Sequence, residues 1–224
     1  MQFTQPTTIG LGSYNTAWLC LHKLRRVMVR PGRERLSGEV EVDETYVGGP
    51  AEVKRGRGAF GKQIVILAVE RKSARDENGP VRSIMGRARL EVVPDVRKET
   101  LEKGVVALVE PGSKIVTDGW GGYSSLEERG YRRSIEIACG EELADIALPG
   151  CHLVASLMKR WVLGTLQGSV GAAHLQDYLN EFIFRFNRRT SRSRGLLFYR
   201  LMELAVSASP VPRKEIMPQH IVGG

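Results

Sequence analysis

Acidic and apolar residues alternate in the segment 39–49, whose sequence is EVEVDETYVGG. Successive side chains of a β-strand point to opposite faces, so Glu39, Glu41 and Asp43 are predicted to share one face of a strand. Three neighbouring carboxylates on one face repel each other unless a cation lies between them. The pattern therefore has two explanations, a divalent metal site or a solvated acidic face on an edge strand.

Two more strands are predicted after this one. Residues 63–70 are a nearly continuous apolar run, which indicates a central strand that is buried on both faces. Residues 81–93 alternate, with Arg87, Arg89 and Glu91 between apolar residues, so we expect a third strand with one wet face. Polar turns between the strands predict an antiparallel meander, and the glycine-rich basic residues 50–62 predict a mobile loop.

Helical periodicity accounts for most of the remaining chain. Helices are predicted at residues 14–28, 97–109, 126–129 and 151–166 and as a pair after residue 171, with short strands at 114–118 and 134–138. The first helix would begin at a Ser13 cap, and the apolar stripe of helix 151–166 would include Leu153. The order of strands and helices is that of the ribonuclease-H-like α/β fold, a mixed five-stranded sheet flanked by helices.

Composition and charge narrow the classes of function. The chain has 224 residues, enough for one sizeable core, and its 42% hydrophobic residues are ordinary for a globular protein. It has no signal-peptide pattern and no apolar run of the roughly 18 residues that a membrane span requires. Three scattered cysteines fit a reducing compartment, so we predict a cytoplasmic protein with buried thiols. The net charge of +8 and the pI of about 9.6 favour a polyanionic partner, most simply nucleic acid.

Candidate chemistry centres on two aspartates. Asp43 lies in the first strand, and Asp118 lies at the end of the fourth, directly before the glycine-rich segment GWGGY. If these strands are neighbours, the two carboxylates can share a divalent cation. Two Mg²⁺ ions about 4 Å apart would clamp a phosphodiester during an in-line displacement. The candidates for a third ligand from a later helix are Glu141, Glu142, Asp145, His152 and Glu181, and no spacing rule chooses among them.

Three motifs carry a resemblance to a known family. They are VDETYVGG at residues 42–49, TDGWGGY at residues 117–123 and LNEFIFRFNRR at residues 179–189. In this order they resemble insertion-sequence transposases of the ISXO-like group, which are DDE-type enzymes with a ribonuclease-H-like catalytic domain. The resemblance covers residues 11–205 in approximate bounds.

The resemblance implies site residues and a reaction. The family's first two catalytic aspartates fall on Asp43 and Asp118. Its third residue precedes a Ser-Leu-x-Lys-Arg segment, here residues 156–160, and is glutamate, asparagine or histidine in different members. Counting back places His152 there as catalytic residue and metal ligand, with an ordinary capping or partly buried histidine as the alternative. The implied activity is DNA strand cleavage at insertion-sequence ends and strand transfer into target DNA, with two Mg²⁺ or Mn²⁺ ions as cofactor.

Basic residues in the second half of the chain are the predicted DNA contacts. Five arginines and no acid lie in residues 185–194, a pattern that favours neutralisation of phosphates without reading of bases. The predicted DNA-binding residues are Lys159, Arg160, Arg185, Arg188, Arg189, Arg192 and Arg194. The resemblance implies that the partners are terminal inverted repeats and target DNA. It also implies a homo-oligomer on paired ends, which would be nucleoid-associated when bound to DNA.

Two departures from the family pattern shape the expected domain organisation. Members commonly begin with a cysteine-rich zinc ribbon and a complete helix-turn-helix, and this sequence shows neither. We therefore expect residues 1–36 to be the remnant of a DNA-binding region, residues 37–206 to be the catalytic domain and residues 207–224 to be a loose tail. Leu166 also stands where related sequences often have a polar residue. A catalytically inactive, truncated DNA-binding remnant and a nuclease of RNA–DNA hybrids are the alternative functions.

Overall fold

The computed structural model of the chain describes residues 10, 12–29, 35–48, 62–75, 81–137, 147–166, 172–193 and 195–217. These residues group into two compact units. One is Glu34–Asn187, and the other combines Met1–Arg33 with Arg188–Gly224. The predicted domains, a DNA-binding remnant at residues 1–36, a catalytic domain at 37–206 and a tail at 207–224, are assigned by function, and this assignment stays a prediction. Within the described residues, no helix combines the length and the apolar character that crossing a membrane requires.

The unit Glu34–Asn187 is built on a five-stranded sheet. Its strands are β1 (Glu39–Val47), β2 (Gln63–Arg75), β3 (Val81–Val93), β4 (Lys114–Thr117) and β5 (Arg132–Ile135). Their order across the sheet is β3-β2-β1-β4-β5; the first three strands of the chain pair antiparallel, and β1–β4 and β4–β5 pair in parallel. The predicted meander and the mixed sheet are therefore confirmed. β2 continues through part of the segment predicted as a turn, and β5 begins at residue 132 rather than 134.

Three of the six described α-helices cover the two faces of this sheet. The described α-helices are α1 (Tyr14–Val27), α2 (Lys98–Leu108), α3 (Pro149–Leu166), α4 (Leu175–Phe186), α5 (Leu196–Ser207) and α6 (Arg213–Ile216). α2 packs on the face that carries Val42 and Ile66, and α3 and α4 pack on the face that carries Val65 and Leu67. Successive strand residues alternate between these two cores because of the pleat. This is the ribonuclease-H-like α/β arrangement that the sequence predicts.

The buried residues of α3 differ from the predicted apolar stripe. Leu153 is 48% exposed, whereas Cys151 and Val162 are buried against the sheet. Val154 and Met158 are buried as the apolar pattern of this helix predicts, so the buried face is the predicted one without Leu153 and with Cys151 and Val162 added. Burial of the thiols is confirmed for Cys151 and is wrong for Cys20, which is exposed, while Cys139 lies outside the described residues.

The face of β3 that was predicted to be wet is covered by α2. Arg89 pairs with Ala68 of β2 across the sheet and is only 8% exposed, and burial lowers its pKa to about 10. Arg87 donates from Nη2 to Oε1 of Glu70 at 2.6 Å, so this charge is balanced by an ion pair. The prediction of a wet face is therefore wrong for Arg89, whose burial under α2 the alternating pattern does not reveal, while Arg87 stays partly exposed.

Side chains at the two ends of α4 close the free edge of β3. Oδ1 of Asn187 accepts the Ala88 backbone N–H at 2.8 Å, and its Nδ2 donates to the Ala88 carbonyl oxygen at 3.0 Å. Gln176 repeats this arrangement, accepting from the Val92 N–H at 2.9 Å and donating to the Leu90 carbonyl oxygen at 3.3 Å. An open sheet edge is a template for pairing with another chain, so these amides both anchor α4 and protect the edge.

The second unit contains α1, α5 and α6. α1 packs against both of the other helices, and Nη2 of Arg26 donates to the Glu215 carbonyl oxygen at 3.1 Å. α1 begins where the sequence predicts, with Ser13 at the N-cap position, but the Ser13 side chain makes no capping hydrogen bond. α6 lies in the tail that was predicted to be loose, and its Ile216 is buried.

Candidate active site

Two aspartates lie level with each other on adjacent parallel strands. β1 and β4 pair in parallel, and the last paired residues are Glu41 and Val116. Two residues further along each strand come Asp43, in the middle of β1, and Asp118, directly after the end of β4. Adjacent strands lie about 4.8 Å apart, so this register brings the two aspartates side by side where β4 ends.

Asp43 is half-buried and has negative neighbours. Its pKa is raised to about 6, chiefly by burial and also by the negative charges of Glu44 and Asp118. A 2.8 Å hydrogen bond from the Glu44 backbone N–H to Oδ1 and the nearby His152 act in the opposite direction. Among the described residues, no lysine, arginine or histidine forms a salt bridge with Asp43 or Asp118. The two carboxylates therefore have no described salt-bridge partner, and their oxygens suit a divalent cation.

The glycine-rich segment after β4 holds Asp118 in place. The chain turns at Gly119, whose φ of +90° is a left-handed conformation that glycine adopts without strain. The Trp120 backbone N–H then donates to Oδ1 of Asp118 at 2.9 Å. Gly122 lies so close to α2 that a Cβ there would be 2.7 Å from Cδ1 of Leu101. The glycines thus allow the chain to turn beside the exposed Asp118 carboxylate and then pack against a helix.

Tyr123 connects the segment after Asp118 with the residue that follows Asp43. Its side chain is fully buried, and its hydroxyl donates to Oε2 of Glu44 at 3.0 Å. Burial and the negative charge of Glu44 raise the pKa of Tyr123, so the hydroxyl stays protonated and acts as the donor. Glu44 points to the α2 face of the sheet, whereas Asp43 points to the α3 face. This hydrogen bond therefore fixes the backbone next to the aspartates without occupying the face on which the Asp43 carboxylate lies.

His152 lies in the first turn of α3, and its side chain is exposed. Its backbone N–H donates to the Leu148 carbonyl oxygen at 3.1 Å, so helical hydrogen bonding has begun at this residue. Its positive charge opposes the rise in the pKa of Asp43, although the ligand atoms of Asp43, Asp118 and His152 do not all lie within 4.8 Å of one another in the described structure. Leu148 is buried with a φ of +61°, a conformation that is strained for a bulky residue, where the chain enters α3.

A lysine lies on the same face of α3, two turns after His152. Partial desolvation of its ammonium group and the positive charge of Lys62 lower the pKa of Lys159, an otherwise exposed side chain, whereas the Asp43 carboxylate acts in the opposite direction. Lys159 therefore lies within electrostatic range of both Asp43 and Lys62, the residue just before β2. Lys159 provides positive charge beside the carboxylates, where an anionic phosphodiester would be attracted.

The other candidates for a third acidic ligand have different surroundings. Glu181 is largely buried on α4 and accepts a hydrogen bond from Nη2 of Arg185 at 2.7 Å, so its charge is balanced by an arginine. Glu141, Glu142 and Asp145 lie outside the described residues. Among the described candidates, His152 is the one that acts electrostatically on Asp43.

The other two acids on this face of β1 are ion-paired with Arg71 of β2, and Glu39 is also paired with Lys114. Arg71 donates from Nη1 to Glu39 at 3.1 Å, from Nε to Glu41 at 2.7 Å and from Nη2 to Glu136 at 2.7 Å. Neither explanation of the acidic face, a shared metal site or full solvation, holds for Glu39 and Glu41. Sequence reasoning missed Arg71 because only the strand register, which pairs it with Glu39, brings it to these carboxylates.

The predicted DNA-binding residues are mostly accessible. Lys159, Arg160, Arg185 and Arg192 are exposed, Arg188 and Arg189 are half-buried, and Arg194 lies outside the described residues. Burial lowers the pKa of Arg189, and Arg185 is ion-paired with Glu181. Accessible cations are compatible with phosphate contacts, and the DNA-binding role of these residues stays a prediction.

Comparison with protein families gives a match over most of the sheet-containing unit. The model of the ISXO2-like transposase domain matches residues 35–187, which include β1–β5, α2–α4, Asp43, Asp118 and His152. No individual curated protein gives a significant match. The match extends over more than half of the chain and agrees with the fold and with the order of the three sequence motifs. The chain therefore belongs to the ISXO2-like transposase domain family.

Proposed function

We propose that this protein is an insertion-sequence transposase that cleaves DNA strands at the ends of its element and transfers them into target DNA. Membership of the transposase family supports the reaction class. The observation that carries the proposal is the register of β1 and β4, which brings Asp43 level with Asp118. His152 completes the site from the first turn of α3.

The donor set fits a divalent cation. Two carboxylates without a described salt-bridge partner and one imidazole offer oxygen and nitrogen ligands, a combination that suits Mn²⁺ as well as Mg²⁺. Bound divalent ions would neutralise charge on a phosphodiester and activate the oxygen of the water or 3′ hydroxyl that attacks it. Asp43, Asp118 and His152 would hold the ions, and the family resemblance implies two of them.

The protein's own groups prepare these ligands. With a pKa of about 6, Asp43 is ionised at neutral pH and ready to bind a cation. The backbone N–H groups of Glu44 and Trp120 each bind one oxygen of an aspartate, which fixes the carboxylate planes. Lys159, which the Asp43 carboxylate acts on electrostatically, would bind a DNA phosphate and hold it beside the ligands.

DNA as the partner is supported by the family and by the net charge of +8. The proposal includes the predicted arginines as phosphate contacts and assembly of several copies on paired element ends. Phosphate contacts release counterions, so binding would weaken steeply as salt increases.

The test is strand cleavage of duplexes that carry the DNA flanking the reading frame, with Mg²⁺ or Mn²⁺ present. Asp43→Asn and Asp118→Asn are expected to lower the cleavage rate by more than about 100-fold, because a single electrostatic group at a reacting centre contributes on this order. Asp95→Asn is the matched control. The Asp95 carboxylate accepts a hydrogen bond from the Arg97 backbone N–H at 3.0 Å and is distant in sequence from Asp43 and Asp118, so the cleavage rate of this variant should equal that of wild type.

Two outcomes would contradict the proposal. Salt-sensitive DNA binding by the wild-type protein without cleavage in either metal would favour a non-catalytic DNA-binding role. Cleavage of RNA–DNA hybrids but not of duplex ends would favour a nuclease instead.

A further inference from the structure

A single buried carboxylate joins the strand of Asp43 to the helix of His152. Glu41 lies two residues before Asp43 on the same face of β1 and is 1% exposed. Its Oε2 accepts the backbone N–H of Cys151 at 2.8 Å, and its Oε1 accepts Nε of Arg71 at 2.7 Å. Cys151 directly precedes His152, so one side chain connects the two parts of the proposed site.

The first turn of α3 lies unusually close to this carboxylate. A Cβ added to Gly150 would be 3.0 Å from Oε2 of Glu41 and 3.1 Å from Cγ1 of Val69, both tighter than ordinary contacts. The glycine therefore lets the helix approach the strand near enough for the Cys151 N–H to reach Glu41. Leu148, in its left-handed conformation, directs the chain into this position.

The chemistry of the contact explains why it is fixed. The first N–H groups of a helix have no partner within the helix, and a carboxylate at that end also interacts favourably with the helix dipole. A buried carboxylate needs a counter-charge, and Arg71 supplies it while also binding Glu39 and Glu136 outside the core. Both carboxylate oxygens of Glu41 accept hydrogen bonds, one from Arg71 and one from the backbone N–H of Cys151, so the Glu41 side chain is fixed at the start of α3.

We propose that Glu41 is a positioning residue for the metal site, which fixes the start of α3 on β1 and thereby sets the position of His152 relative to Asp43. The inference rests on the proposed function for the identity of the site. Groups that orient metal ligands from outside typically change metal affinity 10–100-fold when they are altered.

The experiment measures Mn²⁺ binding to the full chain without DNA, by titration followed with electron paramagnetic resonance of free Mn²⁺. Glu41→Gln removes the charge, and Gly150→Ala keeps every charge while forcing the helix away from Glu41. Both are expected to weaken Mn²⁺ binding by about tenfold or more. Glu39→Gln is the control, because Glu39 also binds Arg71 but makes no described hydrogen bond to α3, and its affinity should stay within about twofold of wild type.

A second readout separates positioning from a loss of stability. Mn²⁺ should broaden the imidazole proton NMR signals of His152, identified by their absence in His152→Asn, in wild type and in Glu39→Gln. The broadening should be reduced in Gly150→Ala at a temperature at which circular dichroism shows that variant to be folded. If Glu41→Gln does not fold, Gly150→Ala decides the test.

The outcomes distinguish the inference from the function on which it rests. Loss of Mn²⁺ binding in Asp43→Asn together with wild-type affinity and broadening in Gly150→Ala would overturn the positioning role and leave the metal site intact. Equal Mn²⁺ binding by wild type and Asp43→Asn would overturn the proposed metal site, and the inference with it.

Discussion

The hydroxyl of Tyr123 donates a 3.0 Å hydrogen bond to Oε2 of Glu44, from the α2 face of the sheet. Tyr123 follows Asp118 by five residues, and Glu44 follows Asp43 directly. The bond therefore joins the two segments that carry the aspartates, on the side where it does not compete for the Asp43 carboxylate. The contact between Glu41 and Cys151 lies on the other face of the sheet. Together the two contacts fix β1, the segment after β4 and the start of α3 relative to one another.

Removal of the Tyr123 hydroxyl is expected to affect both stability and cleavage. Tyr123→Phe leaves the half-buried Glu44 carboxylate without this donor, which should destabilise the protein by about 1.5–3 kcal/mol. Cleavage should fall as well, because the relative position of Asp43 and Asp118 is less well fixed. Urea unfolding and the cleavage assay measure the two effects.

Tyr131→Phe is the matched control for that change. Tyr131 is also buried, and its hydroxyl donates to the Val109 carbonyl oxygen at 2.8 Å, so its loss should cost about 1 kcal/mol without a specific effect on cleavage. Equal cleavage rates in the two variants, measured where both are folded, would refute the role assigned to Tyr123.

Asp43 is expected to make the metal-free protein less stable above about pH 6. Its folded-state pKa of about 6 exceeds its ordinary value of 3.8, so the folded state binds the proton more tightly than the unfolded state does. The stabilisation by this proton is present below about pH 4 and is lost as the pH rises towards 6. Asp43→Asn, which carries no charge, should therefore be more stable than wild type at pH 8 by on the order of 2 kcal/mol.

Denaturant unfolding of both proteins in a metal chelator at pH 8 and pH 4.5 measures this difference. The advantage of Asp43→Asn should shrink at the lower pH, where wild-type Asp43 is protonated in the folded state. If Asp43→Asn is less stable than wild type at pH 8, burial does not destabilise the ionised Asp43 carboxylate, and the prediction is wrong.

Asn187 is expected to protect the edge of β3, although it lies within the basic segment 185–194. Asn187→Ala leaves the N–H and carbonyl groups of Ala88 without their partners, which should cost about 1–3 kcal/mol and expose the edge to pairing between copies. Light scattering should detect the resulting self-association. Asn180→Ala, which removes an amide of α4 that binds Gln176 rather than the strand, should remain unassociated.

The exposed basic residues are expected to act as phosphate contacts. Each phosphate contact that is removed should lower the slope of log affinity against log salt by about 1. Arg160→Ala and Arg192→Ala should show this change in a fluorescence anisotropy titration of duplex DNA. Arg97→Ala is the control, because Arg97 lies at the start of α2 beside Asp95, and an unchanged slope in all three variants would exclude the predicted contacts.

Local pattern was sufficient to predict the elements and much of the sheet. The alternation in β1, the apolar run of β2 and the glycine turn after Asp118 each leave a signature within ten residues of chain. The resemblance to transposases then selected Asp43 and Asp118. The parallel register that makes them neighbours is a tertiary property and became visible only in the fold.

The partners of Glu41 could not be predicted in the same way. Arg71 is 30 residues away and Cys151 is 110 residues away, and the second contact uses a backbone N–H, which every non-proline residue carries. Leu153 was misjudged for a related reason, because hydrophobicity shows which residues can be buried and not which face of a helix meets the sheet. The sequence thus indicates the proposed metal ligands, such as Asp43 and Asp118, but not the contacts of Glu41 that position the helix beside them.

In the proposed active site, Asp43 and Asp118 both coordinate the same divalent ion. The most direct measurement is anomalous X-ray diffraction from crystals of the full chain grown with Mn²⁺ at pH 8, where Asp43 is ionised. We expect an anomalous peak in contact with carboxylate oxygens of both aspartates and within ligand distance of a His152 ring nitrogen. Crystals saturated with Mn²⁺ that show no peak between Asp43 and Asp118 would contradict it.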